Sequence, residues 1–202
     1  MNKTVILSHW RFVILFLCTI CVLMCLYAFK DGYNTHDLQT YNLRGNVKSV
    51  EAYVYDPISE NKYCSEYLEF DREGKLIVNS GITIKRNSEG YIIMLDGGFD
   101  GKEYEYDGNW TVKSIRTWST STRTERIIKF DKNNNPLESE LYGEPDFELE
   151  GKDTPSDKLE YRYYETDSHG NWIARYIKKS GTPSNPYGEN MEWTEERIIE
   201  YY

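Results

Sequence analysis

Phe70-Asp71-Arg72-Glu73-Gly74-Lys75-Leu76 carries the pattern that decides the fold: aromatic, Asp, two polar residues, Gly, polar, aliphatic. An Asp in that position can hydrogen-bond nearby backbone amides and start a type I turn, and a Gly three residues later accepts the positive φ that reverses the chain. A type I turn closed by a left-handed residue commonly joins two antiparallel strands. The frame returns at 86–92 (RNSEGYI), where Asn87 and Gly90 hold the key positions. It returns again at Phe130-Asp131 with Asn134, and at Asp167 with Gly170 and Asn171. Tyr106-Asp107-Gly108-Asn109-Trp110 reads as a shortened copy. The Asp-equivalent positions lie 16, 20, 24 and 36 residues apart, so the repeat is a degenerate hairpin unit and not a strict solenoid.

Between the turns the chain alternates with period two. Tyr104 and Tyr106 share one face and Glu103 and Glu105 the other; Leu159, Tyr161 and Tyr163 oppose Glu160 and Arg162; Ile128 and Phe130 flank Lys129. This is the pattern of half-buried antiparallel strands, apolar inward and charged outward. No stretch beyond residue 40 shows a 3.6-residue period. The acidic, Pro- and Gly-bearing segment 143–158 and the segment 179–190 read as loops, because strand pattern resumes after each. The expected fold is all-β: an antiparallel meander of hairpins over 41–202, a curled open sheet or partial barrel, preceded by one N-terminal apolar helix.

The amino-terminal region differs from the rest. Residues 12–29 (FVILFLCTICVLMCLYAF) carry no charge, Lys3 and Arg11 precede them, and no Asp or Glu occurs before Asp31. That length approaches the ~20 residues a helix needs to cross a bilayer, and the basic start fits an export signal. Ala28 is a poor cleavage position with Leu26 at −3, and Cys18, Cys21 and Cys25 follow large residues, which disfavours lipidation. Residues 1–29 are therefore read as an uncleaved signal anchor, with a cleaved or lipidated signal as the alternative. Residues 30–40 read as a polar spacer. The membrane is then a partner through 12–29, with 30–202 placed outside the cytoplasm in the cell envelope, or secreted or lipid-anchored under the alternative. Cys64 stands alone after the apolar run and reads as a small buried hydrophobe.

The chain has 202 residues and a formal net charge of −9, which argues against nucleic acid as a partner. With 18 Tyr and 5 Trp, the acidity does not signal disorder.

The Tyr/Phe-Asp-x-x-Gly-Asn frame resembles the YD (RHS-type) repeat. Three phrases resemble exported Bacteroidetes-type proteins built from such repeats: Leu43-Arg44-Gly45-Asn46-Val47-Lys48-Ser49-Val50, His169-Gly170-Asn171-Trp172-Ile173, and Arg197-Ile198-Ile199-Glu200-Tyr201-Tyr202. The resemblance implies a β-rich envelope or secreted protein and supplies no catalytic residues.

Catalytic constellations are sparse. His9 and His36 fall outside the expected domain, and His169 reads as a solvated turn residue. Cys64 lacks a plausible base, so a nucleophilic site is not expected. Zinc lacks ligands. Asp131-Lys132-Asn133-Asn134-Asn135 starts like a calcium loop, but Pro136 and Tyr142 stand where Gly and Glu are required. Glu103/Glu105 and Glu195/Glu196 read as solvated strand faces, and 96–101 (DGGFDG) as a wide turn. No cofactor and no enzymatic activity are expected. The candidate binding residues are Trp110, Trp118, Trp172 and Trp193, which could stack on sugar rings or a partner chain if exposed, core packing being the competing role. The functional expectation is a non-catalytic scaffold with a protein partner, or alternatively a glycan-binding module.

Overall fold

The computed structural model describes residues 35–55, 61–143, 154–182 and 190–202; the expected membrane segment 12–29 lies outside them. A short helix, α1 (His36–Thr40), precedes twelve strands: β1 (Val47–Tyr55), β2 (Lys62–Phe70), β3 (Leu76–Ile77), β4 (Thr83–Arg86), β5 (Ile92–Asp96), β6 (Gly101–Tyr106), β7 (Val112–Trp118), β8 (Thr122–Phe130), β9 (Pro136–Tyr142), β10 (Asp157–Thr166), β11 (Trp172–Gly181) and β12 (Met191–Tyr201). They form one antiparallel meander sheet in the order β3-β2-β1-β12-β11-β10-β9-β8-β7-β6-β5-β4. The first and last strands are neighbours, Val50 opposite Ile199 and Ala52 opposite Arg197.

The two edges of this sheet, β3 and β4, are consecutive in sequence and joined only by residues 78–82. Such a link spans at most about 20 Å. Twelve strands laid flat would part the edges by roughly 50 Å, so the sheet must roll up. It does not close, because no ladder joins β3 to β4. A seam remains.

The five Asp/Asn turns are built alike. In each, the side-chain Oδ1 accepts the amides two and four residues later at 2.7–3.1 Å: Asp71, Asn87, Asp107, Asp131 and Asp167 all do so. The residue three positions on is left-handed: Gly74, Gly90, Trp110, Asn134 and Gly170, with φ between 59° and 96°. The Asp107 turn is thus a full copy and not a shortened one. Its left-handed residue is Trp110, and Asp131 is an ordinary member of the set.

All five turns lie at one end of the roll, because each joins an even strand to the next odd one. Residues 35–44 bind them in sequence order. Thr35 Oγ1 donates to Gly74 O (2.6 Å), and Gln39 accepts from the Tyr91 hydroxyl (3.0 Å) and donates to Trp110 O (3.1 Å). Asn42 donates to Asn135 Oδ1 (2.7 Å), and the Arg44 amide donates to Asn171 Oδ1 (2.7 Å). Residues 35–40, expected as spacer, are instead the start of this cap. A five-residue helix is not stable alone; α1 holds because Thr35 caps it and Leu38 is fully buried.

Asp37 spans the seam. Its buried carboxylate accepts the Leu76 amide of β3 at 2.7 Å and binds the Arg86 guanidinium of β4 through both terminal nitrogens.

Two apolar layers fill the roll. Beneath the cap, Leu38, Leu43, Val47, Val50, Phe70 and Ile92 pack with Tyr41 and Tyr104. Further along, Leu141, Leu159, Tyr161 and Ile177 pack with Trp193. Two expectations fail on the strands themselves. Cys64 is exposed, not buried. Ile128 points outward, 56 % exposed, because the β8–β9 register slips between Ile127 and Lys129 and the extra residue reverses the alternation.

Candidate functional site

Following one face of β12 from its start gives Trp193, Glu195, Arg197, Ile199 and Tyr201. Trp193 belongs to the far apolar layer, and Ile199 and Tyr201 pack against the layer beneath the cap. The charged pair therefore sits between the layers. The neighbouring strands repeat this: Glu66 shares a face with Leu68 and Phe70 on β2, Lys102 with Tyr104 on β6, and Arg175 with Ile177 on β11. These charges form a belt around a cavity of about 200 Å³.

Most of the belt is paired. Lys102 Nζ lies 2.5 Å from Glu66 Oε1, a bond between strands that are not neighbours in the sheet. Burial alone would raise the Glu66 carboxyl, but the Lys102 ammonium outweighs it and holds the group below the usual carboxylate range. Burial likewise opposes the charge on Lys102, and Glu66 prevails and raises its pKa. Solvent still reaches this pair, since the Lys102 side chain is 39 % exposed. Arg175 grips Glu195 Oε2 through Nε (2.8 Å) and Nη2 (2.5 Å), and that carboxylate overcomes burial to raise the guanidinium's pKa. Tyr161 donates to Glu125 Oε1 at 2.5 Å; burial and that carboxylate push its phenol well above the ordinary value.

Arg197 stands apart. Its guanidinium lies 3.7 Å from the centre of the Trp172 ring, which Arg175 also approaches at 4.2 Å. Its Nε and Nη1 are buried and have no hydrogen-bond partner. Burial and the neighbouring Arg175 lower its pKa to about 10, so it remains a cation at neutral pH. An unsatisfied buried donor costs about 1–3 kcal/mol, and more when charged; the Trp172 ring and the nearby Glu195 and Glu66 carboxylates offset part of that cost.

The four tryptophans proposed from sequence are not brought together as an exposed row. Trp172 is 2 % exposed and forms part of the cavity wall. Trp110 is half-buried at the cap, stacked on Tyr91 at 4.5 Å. Trp118 is half-buried at the opposite end of β7, and Trp193 packs in the far layer. Glu195, read from sequence as a solvated face together with Glu196, is inside at 9 % exposure, while Glu196 is outside and pairs with Lys62. His169 is exposed and stacks on Tyr201 at 4.2 Å, and His36 stacks on Tyr91 at 4.1 Å; neither lines the cavity.

Among the described residues, no group of three or more His, Cys, Asp or Glu is placed to hold a metal, and no helix is long and apolar enough to cross a membrane. No family model matches the chain, and no curated protein does so either. The cavity is therefore interpreted from its own chemistry.

Proposed function

We propose that the chain is a non-catalytic binding protein of the cell envelope, a rolled β scaffold around a small-molecule cavity, anchored through residues 12–29. The observation that carries this reading is the belt of charged side chains lining a cavity of about 200 Å³ at the centre of the roll, reached by solvent at Lys102 and Glu66. A roll serving only as structure gains most from an apolar filling. Each belt carboxylate is already engaged, Glu66 by Lys102, Glu195 by Arg175 and Glu125 by Tyr161, so none stands ready as a general base. A glycan role would run through the cavity wall at Trp172 and not through an exposed tryptophan row.

Thermal-shift screening of the full chain in detergent against sugars, sugar acids, amino acids and aromatic acids tests the reading, followed by mass spectrometry of the recovered ligand. At least one compound is expected to raise the melting temperature saturably and to be recovered unchanged. A converted ligand would make the protein an enzyme. A flat screen, with no response lost on narrowing the cavity by Ile115→Phe, would leave a scaffold without a small-molecule site. Membrane fractionation with intact mass tests the anchor, and a full-length product in the membrane fraction is the expected result.

A further inference from the structure

We infer that the cavity takes an uncharged, polyhydroxylated ring of monosaccharide size. This rests on the binding role proposed above and names the ligand class. The belt brings three carboxylates, Glu66, Glu125 and Glu195, and three cations, Lys102, Arg175 and Arg197, to the wall of one cavity. Their formal charges cancel, so an ion entering there would lose hydration without meeting an unmatched counter-charge. Hydrogen-bonding capacity does not cancel. Each carboxylate commits one oxygen: Glu66 Oε1 to Lys102, Glu125 Oε1 to the Tyr161 hydroxyl, and Glu195 Oε2 to Arg175. Among the described residues, the other oxygen of each accepts no hydrogen bond, and none of the three is shut away from solvent as Arg197 Nε and Nη1 are. Hydroxyl donors meet such oxygens with charge-assisted bonds. The open acceptors therefore call for a neutral molecule rich in O–H groups, and the partly exposed Lys102 ammonium can donate back to a hydroxyl oxygen.

The layering of the roll suits such a ring. The belt lies between two apolar layers, and both reach the cavity: Tyr104 and Val112 line it from beneath the cap, and Tyr161 from the far layer. A pyranose or cyclitol carries hydroxyls around its rim and C–H groups on its two faces, so the rim can meet the belt while the faces meet apolar side chains. Size sets the upper limit. A cavity of about 150 Å³ holds benzene, and here about 200 Å³ leaves room for one six-membered ring with its hydroxyls, not for two rings. The solvent-reached Lys102–Glu66 pair keeps one side of the cavity wet, so a polar molecule can enter without crossing a fully apolar barrier.

The test is calorimetric titration of the full chain, in a polyoxyethylene detergent free of sugar headgroups, with glucose, galactose, mannose and myo-inositol. At least one is expected to bind saturably. Glucuronate and glucosamine, rings of the same size carrying a charge, and cyclohexanol, a ring with one hydroxyl, should each bind at least about tenfold more weakly than the best of the four. Glu125→Gln keeps an acceptor for Tyr161 but replaces the open carboxylate oxygen, and should weaken the best probe about tenfold. Glu196→Gln, on the outer face, should leave binding unchanged. If a charged ring or cyclohexanol binds as tightly as the best neutral probe, or if Glu125→Gln binds like the parent, the inference is overturned while the cavity remains a binding site. Should Glu125→Gln fail to fold, the comparison of probes on the parent chain decides alone. If none of the four neutral probes binds, the inference fails; the binding role fails with it only if the wider screen is also flat.

Discussion

Asp37→Ala removes a side chain that binds both edges of the sheet, and its cost follows from what the carboxylate holds. Three hydrogen bonds disappear: one from the Leu76 amide at 2.7 Å and two from the Arg86 guanidinium. Asp37 is 2 % exposed, and removing one partner of a buried pair costs roughly 3–5 kcal/mol. Arg86 is not stranded, since its side chain is 33 % exposed and Nη1 also donates to Gly90 O at 2.9 Å. That places the expected loss near the lower bound, about 3 kcal/mol. For a unit of this size each kcal/mol moves the midpoint by about 2–4 °C, so the melting temperature should fall by roughly 6–12 °C. Asp37→Asn keeps an acceptor for the Leu76 amide while losing the charge, and should cost about half as much. Amide exchange at Leu76 should accelerate in the alanine variant beyond the change at Val112, which lies away from the seam. A double-mutant cycle with Arg86→Met should return a coupling of at least about 1 kcal/mol. A melting temperature within about 1 °C of the parent, with Leu76 exchange unchanged, would refute the clasp.

Substitutions at three further positions probe the belt and the turns. Because the folded Glu66 carboxyl titrates below the usual range, its contribution is complete above the unfolded value near ~4.3 and is lost as pH falls through the folded value. Glu66→Gln should therefore flatten the acid side of a plot of melting temperature against pH, and an unaltered slope between about pH 5 and 3 would contradict the Lys102 pairing. Asn134 is left-handed at φ 63°, so Asn134→Gly should be neutral or stabilising by up to about 1 kcal/mol and Asn134→Val destabilising by about 1–2 kcal/mol, read by urea denaturation. Gly170→Val adds a side chain at φ +82° with Arg44 Nη1 only 3.2 Å from the new Cβ; a loss of about 2 kcal/mol is expected, and unchanged stability would mean the turn relaxes freely.

The turns were legible because their chemistry is local: an Asp or Asn and a left-handed residue three positions on are enough to specify each hairpin. The Asp107 turn reads as a shortened copy because its left-handed position holds Trp110 where the other copies have Gly or Asn. The cap was hidden for a different reason. Thr35, Asp37, Gln39 and Asn42 look like a polar linker when read in order, and their partners lie 39 to 93 residues away. The belt left a signal that the rule of charged residues outward obscured. In Arg197-Ile198-Ile199-Glu200-Tyr201, the arginine shares its face with Ile199 and Tyr201, not with Glu200. Period two was correct there, and the assumption that charge marks the solvent side was not.

The clasp and the belt together explain why the sheet can remain unclosed. A ladder between β3 and β4 would seal the roll by backbone pairing; here the Asp37 carboxylate bridges them, taking the Leu76 amide of β3 and the Arg86 guanidinium of β4. The same side of the interior carries the Lys102–Glu66 bond, which links β6 to β2 across the strands flanking the seam. Charges placed here remain partly hydrated, so the desolvation that makes buried ion pairs costly is reduced. Arg197 lacks that relief, because its Nε and Nη1 are shielded and face no acceptor. An apolar residue at 197 would pack against Trp172 without this cost. The cation is kept against that cost by the Trp172 face at 3.7 Å and by the nearby carboxylates of Glu195 and Glu66.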